Sequence, residues 1–146
     1  MFSEESPQNI PKSAIFDFDG TLSAKSGREP FDFTLAGGDL PIGPIVELAL
    51  ALKEVGWKII VISGREEKFR AISQLWLNVH LGSFESLLMR SDGDYRPDEI
   101  VKHEIYLNRV KGVYDVQFVV DDRNRVVKMW RNVLGLTCLQ VRDGDF

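Results

Sequence analysis

The chain has 146 residues, of which 27% are charged and 44% apolar, and a formal net charge of −4. That length suits one domain with its own core, and the acidity excludes a broad basic footprint on duplex nucleic acid, though not a protein that grips only the end of a strand. The single cysteine, Cys138, excludes an internal disulfide framework. No apolar run approaches the roughly 18 residues that a membrane span needs, so a cytoplasmic domain with no membrane partner is expected.

Residues 1–12 are polar, carry two prolines and show no periodicity, which predicts a mobile tail or a short docking strand. The domain proper is expected over 13–146. Ala14-Ile15-Phe16 lies in a first predicted strand, about 13–18, and Asp17-Phe18-Asp19-Gly20-Thr21-Leu22 follows from it. Residues 20–44 are rich in Gly, Pro and Ser and read as a long loop. Within it, Phe31 and Phe33 are expected to anchor the loop to the core, with stacking on a terminal base as the alternative. A first helix is predicted from Pro44 to Val55, with Ile45, Leu48, Ala49 and Leu52 inward.

Lys58–Ile62 is a second strand whose four successive apolar residues mark burial on both faces. It runs into Ser63-Gly64-Arg65. A second helix, about 66–79, shows Phe69, Ile72, Leu75 and Trp76 at helical spacing. Leu87-Leu88-Met89 is a third strand, and 91–97 a turn-rich loop. A third helix, about 98–110, opens with Asp98-Glu99, which suits a helix N-terminus. Val116–Val120 is a fourth strand, ending in Asp121-Asp122. A fourth helix, about 123–134, buries Val126, Val127, Trp130 and Leu134, and a fifth strand covers about 136–141. Trp57, Trp76, Trp130 and Cys138 are expected in the core.

Alternating strands and helices predict an α/β fold: a three-layer, Rossmann-like parallel sheet of about five strands, helices on both faces, and a minimal cap. Ligands of such sheets bind beyond the carboxyl ends of the strands. Asp17/Asp19, Ser63/Arg65 and Asp121/Asp122 all follow predicted strands. The topology therefore gathers groups lying about 45 and 60 positions apart.

Two carboxylates two residues apart at a strand end repel unless a cation sits between them or one is protonated. An oxygen-only cluster beside a phosphate site suits Mg²⁺. Together with a hydroxyl, a lysine and arginines, the set fits a phosphate monoester. Its uncatalysed hydrolysis is so slow that a catalyst must supply about 20 kcal/mol, much of it from fixed charge around the phosphoryl group. Asp17 is the candidate nucleophile and Asp19 the acid/base. Ser63 and Gly64 are placed to hold phosphoryl oxygens. Lys102 offsets charge on Asp17, and Asp17, Asp19, Asp121 and Asp122 are the candidate metal ligands.

DFDGTL, the hydroxyl of VISGR, Lys102 and the acidic pair of VVDD resemble the four motifs of the haloacid dehalogenase superfamily. GREPFD, DEIVKHEIY and the stretch from YDVQFVVDDRNRVVKMWRNVLGLTCLQV to DGDF further resemble the 3′-phosphatase domain of bacteriophage polynucleotide kinase-phosphatase, over nearly everything from Ser13 to Phe146. The resemblance implies removal of 3′-phosphate from DNA or RNA ends with Mg²⁺ and an aspartyl-phosphate intermediate. It adds Arg28, Arg65 and Asp98 to the functional set. Both arginines suit phosphate, and Asp98, one turn before Lys102, suits orienting that lysine. A GxxxxGK[ST] kinase loop is absent from this sequence, so kinase activity is not expected of it. Self-association and a separate kinase or ligase partner stay open. The alternative is a hydrolase of small phosphomonoesters such as nucleotides or sugar phosphates. A short cap favours a polymer end, because small substrates gain from a closing lid.

Overall fold

The computed structural model describes residues 10–146. In chain order its elements are β1 (Lys12–Phe16), the short strands β2 (Ser23–Ala24) and β3 (Leu40–Pro41), α1 (Gly43–Glu54), β4 (Lys58–Glu66), α2 (Arg70–Leu81), β5 (Ser86–Arg90), α3 (Asp98–Ile105), β6 (Asp115–Asp121), α4 (Asn124–Lys128) and β7 (Cys138–Gln140). A wider π turn extends α3 over Tyr106–Val110 and α4 over Met129–Val133. Five strands form one sheet in the order β5-β4-β1-β6-β7. Every ladder in it is parallel, with Ile15 opposite Ile60 on one side and Val119 on the other. The α/β expectation is met.

Alternation along the strands divides the core in two. Ala14, Phe16, Ile59, Val61, Leu87 and Met89 face α1 and α2, where Trp76, Leu77 and Leu81 pack. Ile15, Ile60, Ile62, Leu88 and Val119 face the other layer, with Val126, Val127, Trp130 and Cys138. The chain leaves β1 for β4 and β5, then returns to β6 on the opposite flank of β1. That reversal opens the crevice at the carboxyl end of β1, where α/β sheets bind ligands.

Three expectations change. The first strand stops at Phe16, so Asp17 and Phe18 lie beyond it; of the predicted tail, residues 1–9 fall outside the described residues and Lys12 opens β1. Residues 20–44 are not simply loop. β2 pairs antiparallel with β3, and a 3-10 segment covers Phe33–Gly38. The Ile42 amide donates to the Leu22 carbonyl, which ties the returning chain to the first motif. Leu75 is exposed rather than buried, and Ser73, Trp76, Leu77 and Leu81 take the inward face of α2. At about 100° per residue, Leu75 falls on the side of α2 opposite Ser73, Trp76, Leu77 and Leu81, so the buried face is rotated from the expected one.

Candidate active site

Asp17 is fixed from both directions. Its amide donates to the Val120 carbonyl at 2.9 Å, which extends the β1–β6 ladder by one step. One carboxylate oxygen accepts from Lys102 Nζ at 2.7 Å and the other from Thr21 Oγ1 at 3.1 Å. Lys102 projects from α3 and is fully buried. It also reaches Asp121 Oδ2 at 3.2 Å, which takes a further bond from Trp130 Nε1 at 3.1 Å. Oxygens of Asp17, Asp121 and Asp122 lie within 4.8 Å of one another, and all three residues are buried. Asp122 Oδ2 has no hydrogen-bond donor; its nearest cation is the largely exposed Arg142 at 3.5 Å. Gly20 sits against this atom with φ of 84°, so a side chain there would be strained and would collide with Asp122.

Three carboxylates thus share one ammonium. Burial pushes the Asp17 carboxyl well above the usual range, and Asp121 adds to the rise while Lys102 opposes it. Burial also raises Asp122. On Lys102 burial acts against the charge, but Asp121 and Asp17 more than offset it, so its pKa is raised. This buried, oxygen-only, net-negative donor set fits a bound metal cation.

The Asp19 carboxylate stands apart from this cluster. Its side chain is 38% exposed and is gripped by Arg65 through Nε at 2.9 Å and Nη2 at 2.8 Å. The two side chains do not converge in this structure: Lys102 holds Asp17 and Arg65 holds Asp19. Arg65 is buried, stacks over Phe18 at 3.9 Å and donates to Ser73 Oγ at 2.8 Å.

The resemblance assigns Arg28 to the functional set as a residue suited to phosphate. Here it forms a fork on Asp39, at 2.8 and 2.6 Å, and donates to the carbonyls of Glu29 and Pro30 and to Asp19 at 3.4 Å. Both arginines in this structure hold carboxylates, and Arg28 has no donor left over. Ser63 is buried at the turn out of the apolar part of β4. Its Oγ accepts the Arg65 amide at 3.1 Å and keeps its own proton to give. Asp98 makes no hydrogen bond to Lys102. It binds Arg90 at 2.5 Å and Arg123 at 3.3 Å instead. Burial would raise its carboxyl, but Lys102, Arg123 and Arg90 more than offset this and hold it below the usual range. Gly64 passes so close to Asp98 that any Cβ would strike the carboxylate.

Sequence reasoning missed Thr21, Asp39 and Ser73, and took Trp130 for core alone. Thr21 was legible, four residues after Asp17 in the same turn. Asp39 was not, since nothing local distinguishes it from any loop aspartate.

The fold and this carboxylate–lysine cluster define a phosphatase of the haloacid dehalogenase class. Within it, the chain belongs to the family described as polynucleotide kinase PNKP phosphatase domain, which matches residues 11–146. It is accordingly a phosphoric monoester hydrolase. A chain in the solved Pnkp1/Rnl/Hen1 complex is 43% identical, with a TM-score of 0.91 over 94% of this chain and 48% of that one. A putative bifunctional polynucleotide kinase/RNA ligase of Autographa californica nuclear polyhedrosis virus is 27% identical over 128 residues, 85% of this chain and 18% of that protein. The class C acid phosphatase of Bacillus anthracis shares the fold alone, at 14% identity and a TM-score of 0.64 over 94% of this chain and 69% of that one. The chain thus spans about half of the first of these relatives and under a fifth of the second. No helix among the described residues is long and apolar enough to cross a membrane.

Proposed function

We propose that this chain removes the 3′-phosphate from DNA or RNA ends through a phosphorylated Asp17, with Mg²⁺ as cofactor. One observation carries the reading: a buried Asp17 at the sheet crevice, held between Lys102 and Thr21, in a chain that matches the polynucleotide phosphatase family over 11–146. Asp17, Asp121 and Asp122 would hold the ion, whose charge screens the carboxylates from one another and from the phosphoryl oxygens.

The residues divide the work. A carboxylate oxygen of Asp17 attacks phosphorus, forming the acyl phosphate as the bond from phosphorus to the sugar 3′-oxygen breaks. Asp19 gives its proton to that leaving oxygen, then takes one from the water that attacks phosphorus and frees Asp17. Lys102 keeps a positive charge beside the site throughout, and the Ser63 hydroxyl donates to a non-bridging oxygen. Arg65 and Arg28 keep the Asp19 carboxylate in place, half open to solvent, where leaving group and water can reach it. A separate ligase or kinase partner fits the company kept by the relatives, since one lies in a complex with Rnl and Hen1 and another is named a kinase/ligase.

The test is phosphate release with Mg²⁺ from a 3′-phosphorylated oligonucleotide, the same strand phosphorylated at its 5′ end, and a 3′-mononucleotide, with a chelator control. Strong preference for the 3′-phosphorylated strand is expected. Preference for the mononucleotide would refute the assignment and make the chain a small-phosphate hydrolase.

A further inference from the structure

Phe31 is not anchored in the core as expected. Its side chain is 79% exposed, and Tyr95 is 81% exposed; these are the two most exposed large apolar side chains among the described residues. Single exposed aromatics need no explanation. The backbone beneath these two does.

Each loop is tied to the site by one arginine. Arg28 Nη1 holds the carbonyls of Glu29 and Pro30, immediately before Phe31, while Nη2 of the same guanidinium touches Asp19. Phe31 therefore begins one peptide bond from a carbonyl fixed to the guanidinium that contacts the acid/base. Its ring stands edge-on to Phe33, with centroids 6.4 Å apart, and Phe33 lies 5.0 Å from the Arg65 guanidinium that grips Asp19. Arg90 mirrors this arrangement. Its Nη1 holds the carbonyls of Asp94 and Arg96, one on each side of Tyr95, while Nε holds the Gly64 carbonyl next to Ser63 and Nη2 holds Asp98. With both flanking carbonyls turned inward, the Tyr95 ring faces water.

The two rings thus stand on loops pinned to the acid/base side and the Ser63 side of the same site. We infer that Phe31 and Tyr95 are its nucleobase platforms, stacking on the terminal bases of a single strand whose 3′-phosphate enters the site. This rests on the polynucleotide reading above. Stacking is also the means of gripping a strand that the surface near Tyr95 leaves open. Arg96 beside it is neutralised by Asp94 and Glu104, each at 2.8 Å, and the chain carries a net charge of −4. Flat rings accept any base, so the platforms confer preference for a strand without preference for its sequence.

The experiment compares kcat/KM on two 3′-phosphorylated oligonucleotides, one intact and one whose last two sugars are tetrahydrofuran residues without bases. Wild type, Phe31→Ala, Tyr95→Ala, the double alanine variant and Phe31→Trp are assayed. Wild type should favour the intact strand by about fivefold or more for each stacked base. Each alanine should lower that ratio, the double variant should bring it close to one, and Phe31→Trp should keep it. An active wild type with a ratio near one, or a ratio unmoved in the double variant, overturns the platforms and leaves the 3′-phosphatase reading standing. A wild type that releases phosphate from neither strand overturns both.

Discussion

Asp39 is the residue whose loss should cost the most for its size. Its carboxylate is fully buried at the end of the 3-10 segment, and Arg28, whose side chain is 1% exposed, reaches it at 2.8 and 2.6 Å. Arg65 Nη2 lies 3.5 Å away, and the Asp39 carbonyl accepts Trp76 Nε1 at 2.9 Å, so the backbone here is already fixed to α2. Asp39→Ala leaves a buried guanidinium without its fork partner. Breaking a buried pair from one side costs about 3–5 kcal/mol. For a chain of this size each kcal/mol moves Tm by roughly 2–4 °C, so a fall of about 6–20 °C is expected. Asp39→Leu with Arg28→Met removes both charges and should cost less than Asp39→Ala alone. Urea unfolding of both single variants and the double variant gives the coupling directly. A loss under about 1 kcal/mol for Asp39→Ala, with Arg28 intact, would refute the claim that this pair holds the loop.

Further outcomes follow from the same geometry. Asp17→Asn should lower turnover by at least about a thousandfold and abolish the acid-stable, base-labile phosphoprotein trapped during turnover; a retained label would remove Asp17 as nucleophile. Arg65→Lys keeps the charge but loses the fork on Asp19 and the stack on Phe18, so kcat should fall by about 10- to 100-fold with a smaller change in KM; unchanged kcat would show that Asp19 needs no such grip. Cys138 is buried and its thiol is pushed up to about 12, by burial first and then by Asp121. A raised thiol pKa means less thiolate at any lower pH, so iodoacetamide at pH 8 should leave native protein unlabelled and modify it promptly in denaturant; fast native labelling would contradict the buried position.

The sheet was legible because its strands are short apolar runs. Ile59–Ile62 is buried on both faces, and a run of that kind reads as a central parallel strand without further help. The inner carboxylates were legible for the same reason: Asp17 and Asp121 are the first acidic residues after such runs, and adjacent parallel strands bring their ends together. Lys102 was legible as a cation for Asp17, but its burial was not, because no periodicity says that a lysine will be buried. What depends on a shift of phase was lost, as with Leu75. So was what depends on pairing across a loop. The Arg28–Asp39 fork spans eleven positions of irregular chain, and a strong ion pair there leaves no pattern in sequence. That pairing also redirected Arg28, which by residue type alone suits phosphate but is satisfied by carboxylates and carbonyls.

The DxD motif separates two charge environments although its two carboxylates are only two residues apart. Inward, Asp17, Asp121 and Asp122 cluster around one buried ammonium, Lys102, with only the largely exposed Arg142 beside Asp122. Outward, Asp19 and Asp39 face Arg28 and Arg65, and the charges balance within the protein. The outer set is charge-balanced and hydrogen-bonded within the protein, which suits the acid/base role proposed for Asp19. The inner set is left negative, and a substrate bearing a phosphate dianion would make it more so. Burial and the neighbouring Asp121 raise the Asp17 carboxyl above its usual range while Lys102 opposes the rise, so added positive charge at the cluster would relieve the repulsion. On the mechanism proposed above, the reactivity of Asp17 should therefore depend on a cation, whereas the Asp19 grip should not. Chelation should then silence phosphoryl transfer to Asp17 while leaving the Arg65–Asp19 pair, and the folded loop that carries it, intact.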